Sequence, residues 1–89
     1  MTPQALEVFR AVARRGSITA AARDLRYTQS AVSRQIAALE TETGAVLFDR
    51  LARGVALTEA GRCLLPHAEA ILDRVQTARR DLDLVAGCG

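Results

Sequence analysis

Two helix starts lie close together in this sequence, and they constrain the fold more than any other feature. Ser17 and Thr28 are both residue types that cap the first turn of a helix with a side-chain oxygen. Between them, apolar residues recur at the i, i+3, i+4 and i+7 positions of one helical face: Ile18, Ala21, Ala22 and Leu25. Only Arg26 and Tyr27 separate that segment from the second cap. This spacing predicts a helix-turn-helix.

The helix that begins after Thr28 is predicted to run to about Thr43, where Gly44 can close it in the left-handed conformation. One of its faces is apolar and consists of Val32, Ile36 and Leu39. The opposite face carries small or hydrogen-bonding residues where a surface helix more often has Glu and Lys: Ser30, Ser33, Arg34 and Ala37. Gln29, in the first turn, projects toward whatever the N-terminus of the helix faces. These side chains suit the floor of a DNA groove better than a solvated surface, so we interpret the segment as a recognition helix.

The start of the chain is predicted to form a supporting helix. Thr2 can cap it, and Pro3 is tolerated at the first helical position. Its apolar face consists of Leu6, Phe9, Val12 and Ala13. Arg14, Arg15 and Gly16 are typical of a helix end, because basic side chains interact favourably with the negative end of the helix dipole.

A small hairpin is predicted after the third helix. Apolar runs at 45–50 and 55–57 flank a turn that contains Gly54. Arg50 and Arg53 are expected at the tip, which makes the hairpin a wing. A wing arginine can enter the minor groove or contact a flanking phosphate, although a solvated turn is the alternative for each of them.

Thr58 is predicted to cap the longest helix, which would run to about Ala86 before a flexible tail at 87–89. Its apolar residues are spaced alternately by four and three positions, at Leu64, Ala68, Ile71, Val75, Ala78, Leu82 and Val85. This is a heptad stripe. A helix of about 40 Å cannot bury such a stripe on so small a domain, so a partner helix is expected. Packing on the first helix would explain only the first turns. Pro66 predicts a bend or a break.

The charge distribution favours a nucleic-acid partner. Residues 1–57 contain eight Arg and five acidic residues, whereas residues 58–89 contain four Arg and five acidic residues. All twelve basic residues are Arg, which suits bidentate contacts to phosphate or guanine, although codon bias in a GC-rich genome would give the same composition. No apolar run is long enough to cross a membrane and no secretory signal is visible, so a soluble, cytoplasmic domain is expected.

No catalytic or metal site is predicted. Cys63 and Cys88 form no metal-binding motif, and along one helix they would lie about 37 Å apart, too far for a disulfide. The only histidine, His67, has no Asp or Cys partner nearby in the sequence. An enzyme is therefore the least favoured class, and no cofactor is expected.

From about Leu6 to about Leu84, the sequence resembles the N-terminal domain of LysR-type transcriptional regulators, and five strings carry the resemblance. They are FRAVARRGSITAAARDL, TQSAVSRQIAALE, LFDR, RGVALTEAG and LLPHAEAIL. Several linked motifs in order make the resemblance specific. Two positions depart from the usual pattern. Thr43 stands where a hydrophobic residue is usual, which weakens the core under the wing. Arg26 occupies a turn position that helix-turn-helix motifs often give to Gly, so ordinary backbone angles are expected to close that turn.

The resemblance implies a mainly α winged helix-turn-helix that binds double-stranded DNA. Gln29, Ser30, Ser33 and Arg34 would face the major groove, and Arg50 and Arg53 would serve the wing. Candidate contacts to the DNA backbone are Ser17, Tyr27 and Thr28, although Tyr27 is equally compatible with packing at the turn. The helix from Thr58 would pair antiparallel with its copy through the heptad residues, so that a homodimer binds an interrupted dyad-symmetric promoter site.

The expected organisation is a winged helix-turn-helix at 1–57 and a dimerisation helix at 58–86. Full-length members carry a C-terminal effector-binding domain that these residues do not include, so a small-molecule effector is expected only there. A tetramer of the full-length protein is left open. The abrupt end of the sequence favours a piece of a longer protein over a natural short one. Two alternatives are another winged-helix repressor, complete at this length, and a helical adaptor that uses only the heptad helix. The polar face of the third helix and the wing arginines argue against the adaptor.

Overall fold

The computed structural model describes residues 1–87, which form four helices and one hairpin. The elements are α1 (Pro3–Arg15), α2 (Ile18–Leu25), α3 (Gln29–Thr43), β1 (Phe48–Arg50), β2 (Val55–Leu57) and α4 (Glu59–Gly87). This order confirms the predicted winged helix-turn-helix with a long final helix. Of the predicted tail, Gly87 is the last residue of α4, and positions 88–89 lie outside the described residues. No helix within residues 1–87 combines the length and apolar character needed to span a membrane.

Each helix begins at the cap that the sequence predicts. The side-chain oxygens of Thr2, Ser17, Thr28 and Thr58 each accept the backbone N–H three residues later, at 3.1 Å. At the other end of α3, Gly44 has a φ of 69° and its N–H donates to the carbonyl oxygen of Glu40. The hydroxyl of Thr43 donates to the carbonyl oxygen of Leu39 at 2.9 Å, so this polar residue ends the helix without an unpaired group.

The core lies where α1, α2 and α3 meet, and α4 covers a further side of α1. The predicted apolar face of α3 is confirmed, because Val32, Ile36 and Leu39 are all buried. In α1 the buried residues include Val8 as well as three of the four predicted residues, Leu6, Phe9 and Val12. The additional burial of Val8 follows from the position of α1, which packs against three other helices.

The turn between α2 and α3 differs from the sequence expectation. Arg26 is left-handed, with φ 59° and ψ 39°, and is the only non-glycine residue of positive φ among residues 1–87. Its N–H donates to the carbonyl oxygen of Arg23, and the N–H of Tyr27 donates to that of Ala22. This pair of bonds is a Schellman motif, which requires a left-handed residue to satisfy the last carbonyl groups of α2. The expectation of ordinary backbone angles at this turn is therefore wrong.

The strained backbone at Arg26 gives a testable prediction. Arg26→Gly should raise the free energy of unfolding by about 1 kcal/mol, because glycine adopts positive φ without the steric cost that a Cβ imposes. Arg23→Gly is the matched control. It lies within α2 and should lower stability by about 1 kcal/mol through the helix propensity of glycine. Urea unfolding followed by circular dichroism measures both, and a loss of stability in Arg26→Gly would contradict the assignment.

α4 continues without interruption through Pro66, so a break at this residue is excluded. Proline removes one N–H donor, the one that would reach the carbonyl oxygen of Arg62. Packing holds the helix together on both sides of it, because Leu64 and Leu65 lie against the core and Ala68 and Leu72 belong to it. The predicted bend stays a prediction.

Candidate nucleic-acid interface

The outward face of α3 carries the side chains selected from the sequence. Gln29, Ser30 and Arg34 are exposed, and Ser33 is half-buried, because the apolar residues of the same helix point into the core. The Nε of Arg34 lies 3.4 Å from the carbonyl oxygen of Ser30, so this side chain stays close to the N-terminal half of the helix surface. A shallow hollow beside Arg34 is also lined by Gln35, an amide side chain that the sequence analysis did not select.

The candidate contacts at the start of α2 and α3 are hydroxyl groups already engaged as helix caps. Ser17 and Thr28 each accept a backbone N–H through the side-chain oxygen. A hydroxyl that accepts in this way still has its own O–H to donate, which is the group a phosphate oxygen would need. Tyr27 is 37% exposed, and its hydroxyl accepts a hydrogen bond of 3.0 Å from the side-chain amide of Gln4. This bond ties the turn to the first turn of α1.

The wing is a two-stranded antiparallel hairpin in which Phe48 pairs with Leu57 and Arg50 pairs with Val55. Its tip is closed by a hydrogen bond of 3.1 Å from the N–H of Leu51 to the carbonyl oxygen of Gly54. Arg53 lies in this turn, while Arg50 is the last residue of β1, and both are exposed. The ring of Phe48 packs on the buried ring of Phe9 with 5.3 Å between centroids, which anchors the base of the wing to the core.

A backbone contact holds the wing against the end of α1. The N–H of Val55 donates to the carbonyl oxygen of Gly16 at 3.0 Å. Gly54 has a φ of 79°, and a Cβ added to it would lie 2.2 Å from that same carbonyl oxygen. Only glycine fits at this position, because both the backbone angle and the close approach exclude a side chain. From the sequence, Gly54 was predicted only as a turn residue, and its contact with Gly16 was not predicted.

Glu40, near the end of α3, is a second positioning residue that sequence reasoning missed. Its carboxylate accepts a hydrogen bond of 2.7 Å from the N–H of Leu47, the buried residue that leads into β1. Thr58 completes the link, because its hydroxyl donates to the carbonyl oxygen of Val46 and its N–H donates to that of Leu47. The recognition helix and the wing are therefore joined by hydrogen bonds as well as by the chain.

The arginines of this surface are not neutralised within the domain. In the part of the chain that the structure describes, Arg14 pairs with Glu69 and Arg15 pairs with Asp24, each at 3.4 Å. A further ion pair joins the N-terminal amino group to Glu42. Among residues 1–87, no ion pair involves the arginines of α3 and the wing, namely Arg34, Arg50 and Arg53. The surface formed by α3 and the wing thus carries positive charge available to an anionic partner.

The heptad stripe of α4 divides into two parts. Leu64 packs against the core, and Ala68 is fully buried within the single chain. The assignment of Ala68 to dimer contacts is wrong, since no surface of this residue is left for a partner. After Ala68 the stripe is no longer covered by the domain, because Ile71, Leu82 and Val85 are exposed. For these later residues, dimer contact stays a prediction.

A winged helix-turn-helix domain is the class that this fold and surface define, and comparison with known proteins gives its family. Residues 3–62 match the family model described as "Bacterial regulatory helix-turn-helix protein, lysR family". The chain belongs to this family. The family match also separates it from other winged-helix repressors, which the sequence analysis had left as an alternative.

Two proteins of similar sequence are named as transcriptional regulators. The chain is 51% identical over 82 residues to an uncharacterized HTH-type transcriptional regulator in the ibpB-leuC intergenic region of Azotobacter vinelandii, covering 92% of this chain and 57% of the relative. It is 44% identical over 82 residues to the RuBisCO operon transcriptional regulator of Allochromatium vinosum, covering 92% of this chain and 27% of the relative. The chain thus spans just over half the length of the first relative and about a quarter of the second.

Two solved structures that the chain resembles are complexes with DNA. The CbnR_DBD-DNA complex matches with a TM-score of 0.89 and 37% identity, covering 97% of this chain and 99% of that chain. The BenM_DBD/catB site 1 DNA complex matches with a TM-score of 0.92 and 34% identity, covering 97% of each chain.

The close approach at Gly54 can be tested against a glycine that has the same kind of backbone angle but free space. Gly44→Ala should cost about 1 kcal/mol of unfolding free energy, since φ is positive and no atom lies within 4 Å of the added Cβ. Gly54→Ala should cost at least about 2 kcal/mol more, because its Cβ meets a backbone oxygen. Urea unfolding of both variants measures the difference, and equal losses would contradict the contact with Gly16.

Proposed function

We propose that this chain is the DNA-binding part of a bacterial transcriptional regulator and that it reads double-stranded DNA by sequence. The observation that carries the proposal is the polar outward face of α3 beside a wing whose arginines form no ion pair within residues 1–87. Support comes from the similar CbnR_DBD and BenM_DBD structures, which are complexes with DNA. The role is one of binding without catalysis, exercised at the nucleoid in the cytoplasm.

Sequence would be read by α3 in the major groove. Arg34 can donate to both acceptors of guanine, and Gln29 can form two hydrogen bonds with adenine, each pair discriminating by about 1–3 kcal/mol. Ser30 and Ser33 read less strictly, because a hydroxyl donates or accepts. The hydroxyls of Ser17, Tyr27 and Thr28 would donate to phosphates and set the position of the domain on the duplex.

The wing would add a second area of contact next to the first. Arg53, in the tip turn, can reach into the minor groove, where the negative potential is strongest. Arg50, at the end of β1, is placed for a flanking phosphate. Because the wing is fixed to α1 and α3 by hydrogen bonds, both contacts form without reordering of the hairpin.

Two copies joined through α4 would bind a dyad-symmetric promoter site, since a two-fold protein matches a two-fold operator. The exposed residues Ile71, Leu82 and Val85 are the surface we assign to this pairing. The curated relatives are longer than this chain, and we place the effector site and any tetramer contacts in the additional part of a full-length regulator.

The test is selection of bound sequences from a pool of random duplexes by the 89-residue chain. We expect enrichment of an interrupted dyad-symmetric site. If no duplex is enriched, sequence-specific binding is rejected. The alternative function, an adaptor protein that uses the heptad helix, would then explain the exposed stripe better.

Two arginine variants should lose different properties on the selected site. Arg34→Ala should relax the preference at one base pair of each half-site, costing about 1–3 kcal/mol of discrimination. Arg53→Ala should weaken binding to all duplexes and lower the slope of log affinity against log salt by about 1 per bound domain. Fluorescence anisotropy across a salt series measures both effects.

Arg80→Ala is the control, because it removes the same charge from an exposed position on α4, outside α3 and the wing. Its affinity and base preference should stay within a factor of about two of the unmodified chain. If all three variants bound alike, the assignment of α3 and the wing to DNA contact would be refuted.

A further inference from the structure

Gln35 is a polar side chain of the recognition helix to which the proposed function gives no role. It is half-buried, and it lines the hollow of about 320 Å³ beside Arg34. The rest of that hollow is formed by Ala31 and Ala38, each about one helical turn from Gln35 on α3. Because both of these side chains are single methyl groups, they leave the space beside the amide of Gln35 open.

The amide of Gln35 has no hydrogen-bond partner within residues 1–87. None of the side-chain hydrogen bonds in this part of the chain involves it, whereas the amide of Gln4 donates to the hydroxyl of Tyr27. A partly exposed amide without a protein partner keeps its NH₂ donors and its carbonyl acceptor available to a ligand.

Gln35 and Ser33 lie on opposite flanks of α3. At about 100° per residue from the buried Val32, Ser33 lies about 100° to one side of the helix and Gln35 about 60° to the other. Arg34 lies on the outward face between them. Glu40, which binds the N–H that leads into the wing, lies about 80° from Val32 on the side of Ser33. The flank of Ser33 therefore faces the wing, and the flank of Gln35 faces away from it.

The two flanks would meet different strands of a duplex. A helix with its side chains is about 10–12 Å across and the major groove is about 12 Å wide, so a helix seated there has one strand along each flank. The side chains already assigned to bases lie on the flank of the wing or on the outward face. Gln35 is therefore placed to reach the strand that those side chains leave unread.

The chemistry of an amide selects one base edge in the major groove. Adenine presents a donor and an acceptor side by side, N6 and N7, which a glutamine meets with its carbonyl oxygen and its NH₂ group. Guanine presents two acceptors and suits the guanidinium of Arg34 instead. A phosphate oxygen only accepts, so it would leave the carbonyl oxygen of Gln35 unpaired. Adenine is therefore the partner that uses both groups of Gln35.

We infer that Gln35 is a further specificity-determining residue, which reads an adenine on the strand along the flank of α3 that faces away from the wing. The inference rests on the proposed function and adds a base contact on the second strand. The base pair read by Gln35 differs from the one read by Arg34, since the two side chains leave the helix about 100° apart.

Two substitutions of Gln35 test the inference through the preferred base. Gln35→Met keeps the length and the helix propensity of the side chain but has no amide. It should remove the preference for one A·T pair in each half-site, a loss of roughly five- to hundredfold in discrimination. Gln35→Glu should change the preferred base at that position from adenine to cytosine, because a carboxylate accepts from cytosine N4. Selection from random duplexes, repeated with each variant, measures both preferences.

A modified base gives an independent measurement on the unmodified chain. Replacing the adenine by 7-deazaadenine removes its N7 acceptor and should lower affinity roughly three- to tenfold in fluorescence anisotropy. The Gln35→Met chain should bind the two duplexes alike. Gln76→Met is the matched control, because it removes an amide from an exposed position on α4, outside α3 and the wing. It should keep the adenine preference and the sensitivity to 7-deazaadenine.

The outcomes separate the inference from the proposed function. Loss of one adenine preference in Gln35→Met, with a change to cytosine in Gln35→Glu, supports the inference. If Arg34→Ala relaxes one base pair of a selected site but neither Gln35 variant changes the preference at any position, the inference is overturned and DNA reading by α3 stands. An equal loss of affinity for all duplexes in Gln35→Met indicates a phosphate contact and overturns it as well. If no site is selected, the proposed function and the inference both fail.

Discussion

The contact between the end of α1 and the wing determines how the wing is placed beside α3. The carbonyl oxygen of Gly16 accepts the N–H of Val55, and Gly54 passes so close to it that no side chain fits. The same α1 supplies Phe9, which is fully buried and packs on Phe48 at the start of β1. One helix therefore fixes the position of the hairpin, and α3 packs on that helix as well.

A second set of hydrogen bonds joins the recognition helix to the hairpin that follows it. Glu40 of α3 holds the N–H of Leu47, and Thr58 holds the carbonyl groups of Val46 and Leu47 from the start of α4. The chain between α3 and β1 is thus fixed at both ends. In the proposed function, α3 and the wing meet two grooves of one duplex, and this rigidity would favour binding because less conformational entropy is lost. The same bonds explain why Gly61 is required, since a Cβ there would lie 2.3 Å from the carbonyl oxygen of Leu47.

Local sequence rules predicted the helices and the outward face of α3 well, because caps and helical periodicity depend on neighbours in the chain. Thr2, Ser17, Thr28 and Thr58 all cap helices. Contacts between distant segments were missed. The role of Glu40 was not predicted, because its hydrogen bond joins residues of two different elements. Ala68 was assigned to an exposed stripe, because the sequence does not show how α4 packs on the core. The backbone angles of Arg26 were predicted wrongly, because the geometry of the whole turn sets them and the residue type does not.

The most direct test of the central claim is a titration of the 89-residue chain with a selected duplex, followed residue by residue through backbone amide NMR signals. The account predicts that the large shifts fall at the start of α2, in the N-terminal half of α3 and at 50–54 of the wing, while the signals of the C-terminal half of α4 stay nearly unchanged. Shifts concentrated on α4, with α3 and the wing unaffected, would contradict it.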